Sequence, residues 1–476
     1  MKVIKNYLYN ASYQLLIMLA PLITTPYVAR VLGAHESGIY TYTNGWVTIF
    51  YLIGQLGITV YGNREIAYHR DDIKERSKIF WSIELLQLLT IFVALISYLA
   101  VVFMFSSTFK VYYLIQTLWI LATAIDVSWF FMGMEDFKKT VVRNTLVKVT
   151  TIILIFLLIK DQADLWKYVA LLSGAQFLGN LTLWPYLRGL VQRVSIQELN
   201  IFKHLYPSMI LFIPTITVQI YLVVNKIMLG KLGTPDALGQ FDYSDRIIKV
   251  ILSLVTATGT VMLPNMANKF AKGDVNGIRE SLYKSFDFVT SLAVPLMFGI
   301  MAISHQFAPW FLGQDYVHAG EIMFWEAPVI ILIAWSNVLG MQYLMPVNRV
   351  KEFTTTVTVG AIINVCVNIF MIPIWSAKGA AVGSVAAELA VTISQLYVVR
   401  STIARRGLFK GSWKYLLAGG LMFVIVNYVV DNLPMNIITL ALDVLVGVLS
   451  YAVGIFVLQA PITKQMRETG IIKRRE

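Results

Sequence analysis

The stretch LGAHESGIYTY, residues 32–42, decides how this chain is organised, because it appears twice. Its second copy, LGTPDALGQFDY at residues 232–243, has one residue inserted and keeps the order Leu-Gly, Gly, aromatic residue, Tyr. Further on, residues 57–63 match residues 259–265, with Gly first and Asn last in both. This shared order predicts two homologous halves, with chance similarity between Gly-rich apolar segments as the alternative. Two-fold repetition in an apolar chain is typical of a transporter with a site between its halves.

Composition excludes the soluble globular classes. The 476 residues are 57% hydrophobic and 14% charged, and the mean hydropathy is +0.67. Apolar stretches long enough to span a bilayer recur between short charged loops, which predicts membrane helices. The formal charge of +12 does not indicate nucleic-acid binding, because the basic residues concentrate in alternate short loops, as membrane insertion requires. The partners expected are membrane lipids and no nucleic acid.

Fourteen membrane helices are predicted, at about 6–30, 38–62, 79–104, 111–133, 141–159, 167–187, 205–229, 239–263, 284–304, 321–345, 354–374, 379–399, 413–430 and 433–459. The loops on one side hold most of the Lys and Arg residues, whereas the other side holds Lys110, Lys160, Lys167, Lys231 and Lys378. This asymmetry predicts that both termini are cytoplasmic. The first helix, which follows Lys2 and Lys5, ends too late for a signal peptide and is interpreted as uncleaved.

The repeat and the helix count together predict the domain organisation. An N-lobe of helices 1–6 covers residues 1–190, and a C-lobe of helices 7–12 covers 204–400. Because six is even, the repeat is parallel rather than inverted. A cytoplasmic connector at 191–203 joins the lobes, helices 13 and 14 follow at 401–460, and a basic cytoplasmic tail covers 461–476. The basic segment RGLVQRVSIQELNIFK, residues 188–203, is partly amphipathic and is expected at the membrane surface.

The usual anchors of an enzymatic interpretation are missing from the sequence. The chain has no Walker A sequence, no Asp-x-Asp and no Gly-x-Ser-x-Gly elbow. Its five histidines are scattered without the spacing that holds a metal. Cys366 is the single cysteine, so no intramolecular disulfide can form. We therefore expect no catalytic residue, no metal and no cofactor.

Ionisable residues inside the predicted helices are the candidate functional residues, because a lone charge at membrane depth is costly unless it is paired or faces water. The basic candidates are Arg30, Lys148, Lys226, Arg246 and Lys249. Arg30, Lys148 and Lys226 lie near helix ends and could instead extend to the interface. Arg246 and Lys249 follow Asp242 and Asp245 at a spacing of four, so they could instead form internal ion pairs that only shape the helix.

The acidic candidates for ion coupling or a polar cavity are Glu388, Asp126, Asp242 and Asp245. Glu388 is the acid most expected to face a cavity or a basic partner, because it lies in the middle of a small, apolar helix where it cannot extend to the interface. Glu84, Glu326 and Asp443 also lie within predicted helices.

Four stretches in this order resemble Wzx-type polysaccharide flippases of the multidrug/oligosaccharidyl-lipid/polysaccharide exporter superfamily. They are PYVARVLG at 26–33, YGNREIA at 61–67, DVSWFFMGMEDF at 126–137 and VMLP at 261–264. The resemblance spans nearly the whole chain and implies an all-α polytopic membrane protein with two six-helix lobes around a central cavity and two further C-terminal helices. The family pattern has Asp-Lys near the end of helix 7, where this chain has Asn225-Lys226, so an ion-coupling carboxylate is missing at that position.

The resemblance implies a bacterial plasma-membrane protein that moves oligosaccharide repeat units linked to undecaprenyl diphosphate outward, with a polysaccharide polymerase and assembly proteins as candidate partners. A pyrophosphate bearing sugars needs fixed cations and water to cross hydrocarbon. Arg30 and Arg246 are the expected binders of phosphate or anionic sugar, supported by Lys226, Lys148 and Lys249. The alternatives are a multidrug exporter of the same superfamily driven by a cation gradient, a polytopic polymerase or ligase, and a structural scaffold. The short outer loops argue against the polymerase or ligase.

Overall fold

The computed structural model describes the backbone of residues 2–105 and 108–468. Within these ranges the secondary structure is helical throughout, with no β-strand. The all-α membrane architecture predicted from composition is therefore confirmed. Residues 469–476 of the predicted basic tail lie outside the described residues. The stretch 259–265, which matches 57–63 in the first half, has described side chains only at position 262.

The helices form two compact units that divide between Gly230 and Lys231. The first unit contains α1 (Lys2–Gln55), α2 (Ile58–Tyr68), α3 (Ile73–Phe105), α4 (Lys110–Ala124), α5 (Ser128–Gly133), α6 (Phe137–Leu158), α7 (Leu165–Leu181) and α8 (Leu205–Leu232). Gly45 of α1 faces Ile227, and Gly230 faces the ring of Tyr42. The repeat assigns α8 to the C-lobe, yet these contacts pack its end within the first unit. The domain boundaries at 190 and 204 stay predictions.

The second unit contains α9 (Pro235–Ala271), α10 (Val275–Leu312), α11 (Val317–Glu326), α12 (Val329–Ser336), a π-helix (Asn337–Leu344), α13 (Val350–Trp375), α14 (Ala377–Val399), α15 (Arg405–Leu408), α16 (Ser412–Asn432), α17 (Ile437–Val457) and α18 (Pro461–Glu468). The helix predicted at 321–345 is thus divided into α11, α12 and the π-helix. A π-turn places hydrogen bonds five residues apart, so it widens the helix locally. This wider helix was not apparent from apolar length alone.

Nine helices within the described ranges are long and apolar enough to cross a membrane, and a pair bent by 44°, Gln314–Glu326 with Val329–Leu344, would make ten. A helix rises about 1.5 Å per residue, so about 20 residues span the hydrocarbon core. The spans establish a multi-pass membrane protein. The count of fourteen stays a prediction.

The repeated Leu-Gly marks a helix junction in both halves, as predicted. At Gly33 the backbone leaves helical geometry (φ 73°, ψ 176°), which kinks α1 between the two predicted helices. A positive φ of this kind favours glycine, which has no Cβ to clash. In the second copy α8 ends at Leu232, and α9 begins with Thr234 as its N-cap, whose side chain accepts a hydrogen bond from the amide of Ala237 at 3.2 Å. Pro235 then fits the first helical position.

Two of the stretches that carry the family resemblance pack against each other. Gly62 of α2 lies against the Trp129 ring of α5, and a Cβ on Gly62 would come within 2.5 Å of that ring. On the other side, Gly133 faces the carbonyl oxygen of Asn63 and the side chain of Ile66. Trp129 and Ile66 are fully buried in a shared apolar cluster. The two glycines in these stretches are thus explained by close helix packing, since a side chain at either position would clash with the facing helix.

The basic segment (188–203) is attached to the start of α3 by a row of hydrogen bonds. Arg76 Nε and Nη2 donate to the Leu190 carbonyl at 3.1 and 2.7 Å, and Nη1 donates to the carbonyl of Arg70. Ser77 Oγ accepts from the amide of Gln192 at 2.9 Å, whose carbonyl accepts from Trp81 Nε1 at 3.0 Å. These bonds satisfy backbone groups that lack a helical partner. The segment is therefore held along the end of the first unit.

The second unit repeats this attachment with fewer bonds. Arg279 Nε, near the start of α10, donates to the Thr402 carbonyl at 2.9 Å. The hydroxyl of Tyr283, one turn later, accepts from the Ala404 amide at 3.2 Å. Thr402 follows α14 as Leu190 follows α7, and both helices are the sixth of their predicted lobes. An arginine at the start of the third helix thus holds the segment after the sixth helix in each half.

A buried histidine directly after the basic segment contacts α2. His204 Nδ1 lies 2.7 Å from the Tyr61 hydroxyl of α2, and His204 is buried. Burial lowers the pKa of His204 below its usual 6.5, Glu65 opposes this shift and Lys203 adds to it. Because the folded protein favours the neutral imidazole, its contribution to stability is complete above pH 6.5 and is lost as the pH falls below that value.

We expect the basic segment to loosen in acid through His204. Lowering the pH from 7.5 to 5.5 should cost about 1 kcal/mol of local stability, because protonation below pH 6.5 puts a charge on a buried ring. The measurement is amide hydrogen exchange of residues 200–206, corrected for the intrinsic effect of pH. His204→Gln cannot titrate and should show little pH dependence. An equal pH dependence in wild type and His204→Gln would contradict this role.

Candidate functional site

Two acid–base pairs lie one after the other on α9. Arg246 Nη2 is 2.6 Å from Asp242 Oδ2, and Lys249 Nζ is 2.7 Å from Asp245 Oδ2. The spacing of four residues puts each pair on one face of the helix, as the sequence predicted. The structure thus brings Asp242 together with Arg246, and Asp245 together with Lys249.

Exposure differs between the two members of each pair. The Asp242 and Asp245 side chains are 2% and 9% exposed, whereas Arg246 and Lys249 are each 38% exposed. Arg246 also lies over the ring of Tyr243, with the guanidinium carbon 5.2 Å from the ring centroid. Each buried carboxylate holds its cation in place, and part of each cation stays exposed beside it. The pairs therefore shape α9 and place two partly exposed cations along it.

The other basic candidates lie in the first unit. Arg30 is exposed on α1, three residues before the Gly33 kink, and Lys226 is half-buried near the end of α8. Lys148 is half-buried in the middle of α6 rather than near a helix end as predicted, because α6 begins at Phe137, earlier than the predicted start at 141. Each of the three already takes part in an interaction within the protein. Whether they join Arg246 in one site stays a prediction.

The remaining acidic candidates have separate surroundings. Asp126 lies at the break between α4 and α5, where its Oδ1 accepts from the Ser128 amide at 2.9 Å. This bond to the amide two residues further on forms an Asx turn just before α5, so Asp126 has a structural role that the sequence did not indicate. Glu388 is buried in α14 and takes part in an interaction within the protein. Its predicted place in an apolar helix is confirmed, and its function stays a prediction.

A buried amide cluster lies between α13 and α14, and sequence reasoning missed it. Asn368 Nδ2 donates to Asn364 Oδ1 at 3.0 Å, and both residues are fully buried. Within the described part of the chain, Asn364 Nδ2 has no hydrogen-bond partner. Two asparagines four residues apart in an apolar helix were the available signal, because buried amides require partners. The cluster offers polar groups inside an otherwise apolar helix pair.

An open apolar groove lies between α16 and α17, the helices beyond the predicted lobes. Its volume is about 590 Å³, and its lining includes Leu421, Ile425, Leu449, Val453 and Val457. These helices carry large exposed apolar side chains along their length. A groove of this lining suits a hydrocarbon chain, since apolar surface is stabilised by apolar contact.

Long apolar helices that carry ion pairs and buried amides define a polytopic all-α membrane protein. The sequence pattern of the family described as "Polysaccharide biosynthesis protein" matches residues 3–270. The chain belongs to this polysaccharide biosynthesis protein family. The family resemblance seen in the sequence is thereby confirmed.

Relatives of known name are transporters and flippases rather than enzymes. The chain is 22% identical over 407 residues to the "Putative O-antigen transporter" of Escherichia coli (strain K12), covering 83% of this chain and 96% of that protein. It is 24% identical over 141 residues to the lipid II flippase MurJ of Bacillus subtilis (strain 168), covering 29% of this chain and 26% of that protein.

Solved structures share the fold. The inward closed conformation of lipid II flippase MurJ superposes with a TM-score of 0.77 at 15% identity, covering 98% of this chain and all of that chain. An inward-facing multidrug resistance transporter of the MATE family and MOP superfamily superposes at 0.61 with 13% identity, covering 82% and 96%. At these identities the likeness shows the fold alone.

Proposed function

We propose that this protein flips oligosaccharide repeat units linked to undecaprenyl diphosphate from the cytoplasmic to the outer leaflet of a bacterial cell membrane. The product would serve capsule, exopolysaccharide or other cell-surface polysaccharide synthesis, with a polymerase and assembly proteins downstream. The O-antigen transporter and lipid II flippase among the relatives support this proposal. The Lys and Arg distribution supports cytoplasmic termini.

The observation that carries the proposal is the partly exposed cation pair Arg246 and Lys249 on α9. A diphosphate bearing sugars is anionic, so moving it through a membrane requires donors that replace its hydration. Its lipid tail requires the opposite surroundings, which the apolar groove between α16 and α17 supplies. An amphiphile with one anionic and one hydrocarbon end matches both features. We propose Arg30, Lys226 and Lys148 as further cationic contacts during alternating access.

The test must separate the charge of Arg246 from the stability of its ion pair. Arg246→Gln alone leaves Asp242 buried without its cation, which destabilises a fold strongly. The double variant Asp242→Asn/Arg246→Gln removes both charges with little change of shape. We expect it to be present in the membrane at wild-type amount while export of lipid-linked repeat units falls by about tenfold or more, the loss of one charge-assisted hydrogen bond. Radiolabelled lipid-linked oligosaccharide should accumulate on the cytoplasmic face. Arg30→Ala is the corresponding variant in the first unit.

Asp242→Asn is the matched control, because it keeps Arg246 and removes only the carboxylate. The flippase proposal expects export to persist in this variant. Normal export in both the double variant and Arg30→Ala would refute the cation-binding role of these arginines.

The second candidate is a multidrug exporter of the same superfamily driven by a cation gradient. The buried carboxylates of Asp242 and Asp245 favour it, since cation coupling uses acids held inside the membrane. It expects Asp242→Asn to abolish transport and Arg246 substitutions to matter less. Asp242→Asn therefore distinguishes the two candidates, with lipid-linked sugar export and drug efflux as the two readouts.

A further inference from the structure

The basic segment (188–203) turns its hydrogen-bonding side toward α3. Besides the bonds of Arg76, Ser77 and Trp81, the amide of Asn200 donates to Ser82 Oγ at 3.3 Å. Lys78 Nζ lies 2.7 Å from Glu198 Oε2, and Glu198 is the one acidic residue of the segment. These contacts fix the segment and neutralise its carboxylate.

The side of the segment away from α3 is apolar and basic. Ile196 and Phe202 are 77% and 73% exposed. Arg188, Arg193 and Lys203 are exposed as well, and none forms an ion pair with a carboxylate in the part of the chain that the structure describes. Large apolar side chains held in water are unfavourable, so such a face indicates a partner.

The apolar side continues into the membrane along α8. Tyr206, in the first turn of α8, is 73% exposed, and Met209 and Ile210 are exposed one turn further on. Tyr206 and Ile210 are four residues apart in α8, which places them on one helix face, and Phe202 lies in the short 3-10 helix (Ile201–His204) that directly precedes α8. Because α8 is a long apolar helix, we expect this stripe to contact lipid, with Phe202 at its N-terminal end. Aromatic residues are typical of that level, where headgroups meet hydrocarbon.

We propose that the basic segment is a binding surface for anionic phospholipids, with Phe202 and Ile196 inserted at the headgroup level and Arg188, Arg193 and Lys203 binding lipid phosphates. The Lys and Arg distribution assigns this surface to the cytoplasmic leaflet. Three free cations and one neutralised acid give the charge complementarity that an anionic headgroup requires. The surface does not depend on the transported substrate, so its test is independent of the proposed flipping.

The position of Phe202 can be measured with a fluorophore attached to a cysteine introduced there. Cys366 is the single native cysteine and is exposed, so replacing it removes all background labelling. In a Cys366→Ser background, Phe202→Cys is labelled with a bimane fluorophore and the full chain is placed in nanodiscs. The lipids are phosphatidylcholine alone or mixed with phosphatidylglycerol, with one species brominated high on its acyl chain. We expect bromine quenching at position 202, and stronger quenching when the brominated lipid is phosphatidylglycerol. Ile210→Cys, further along the same stripe, should be quenched by both lipids.

The charge requirement is tested with the triple variant Arg188→Gln/Arg193→Gln/Lys203→Gln. The ratio of quenching by brominated phosphatidylglycerol to quenching by brominated phosphatidylcholine should fall in this variant. Each cation removed should weaken binding of the anionic lipid by about fivefold. The matched control, Arg405→Gln/Arg406→Gln/Lys410→Gln, removes the same charge from exposed residues of the second unit and should leave the preference at position 202 unchanged. All six side chains are exposed, so both variants should elute as wild type on size exclusion.

Two results would overturn the proposal. If neither brominated lipid quenches the label at position 202, the surface lies in water and is available to a soluble partner instead. Equal quenching by both lipids, unchanged in the triple variant, would show ordinary interfacial contact without anionic selectivity.

Discussion

Trypsin is expected to cleave the basic segment after Arg188 and Arg193 about 100-fold faster when Arg76 is replaced by methionine, because local opening becomes about 3 kcal/mol easier. Arg76 is buried, and its guanidinium donates to the carbonyls of Leu190 and Arg70. Methionine fills similar space and donates nothing, so both carbonyls lose charged donors at once. The measurement is limited proteolysis in detergent micelles followed by peptide mass spectrometry.

Arg279→Met is the control for Arg76→Met. Arg279 forms the equivalent bond to Thr402 in the second unit, so its loss should expose the loop near Arg405 and leave the basic segment protected. Cleavage of both segments in both variants would indicate global destabilisation and refute a local attachment.

Tyr415→Phe is expected to release α18 from the second unit. The Tyr415 hydroxyl donates to Asp287 Oδ1 at 2.9 Å and accepts from the Ile462 amide at 2.8 Å. Asp287 Oδ2 also accepts from Gln465 Nε2 at 2.8 Å, so one carboxylate joins α10, α16 and α18. Removing the hydroxyl leaves two buried groups short of a partner and should cost about 2 kcal/mol. Hydrogen exchange at residues 461–466 should then accelerate by about 30-fold, the factor that corresponds to this cost.

Tyr428→Phe is the matched control on the same helix. The side chain of Tyr428 is largely exposed, so losing its hydroxyl should leave exchange at residues 461–466 unchanged. If Tyr415→Phe exchanged no faster than this control, the hydroxyl bridge would not hold α18 in place.

Helix positions were largely predictable because membrane helices are defined by local apolar length. The segments predicted at 354–374 and 379–399 appear as α13 and α14 with ends shifted by at most a few residues. The breaks were less predictable. Leu56 and Gly57 both adopt positive φ and divide the helix predicted at 38–62, because the turn depends on packing such as the close approach of Phe212 to Gly57.

Candidate residues were predictable where spacing alone places them together. The pairs on α9 follow from a separation of four residues in a helix. The bonds of Arg76 to Leu190 join residues 114 apart, and no local pattern encodes such a contact. Asp126 illustrates the same limit, because its hydrogen bond to the Ser128 amide depends on a helix break that hydropathy does not reveal.

The sequence carries a further match between its halves at an offset of 203 residues. Arg76 and Glu84 are eight residues apart, as are Arg279 and Asp287. The offset between these pairs, 203 residues, continues the drift from 200 at Leu32 and 232 to 202 at Gly57 and 259. The structure makes this match meaningful, because both arginines hold the segment that follows a sixth helix.

Glu84 and Asp287, which this offset aligns, have different surroundings. Glu84 is buried, and in the described part of the molecule neither of its oxygens accepts a hydrogen bond. Asp287 accepts hydrogen bonds from Tyr415 and Gln465, both of which lie beyond the predicted lobes. The C-terminal helices thus supply Asp287 with donors that Glu84 lacks. A chain truncated before α16 would leave the Asp287 carboxylate without both donors, at the cost of a buried acceptor that has lost its partners.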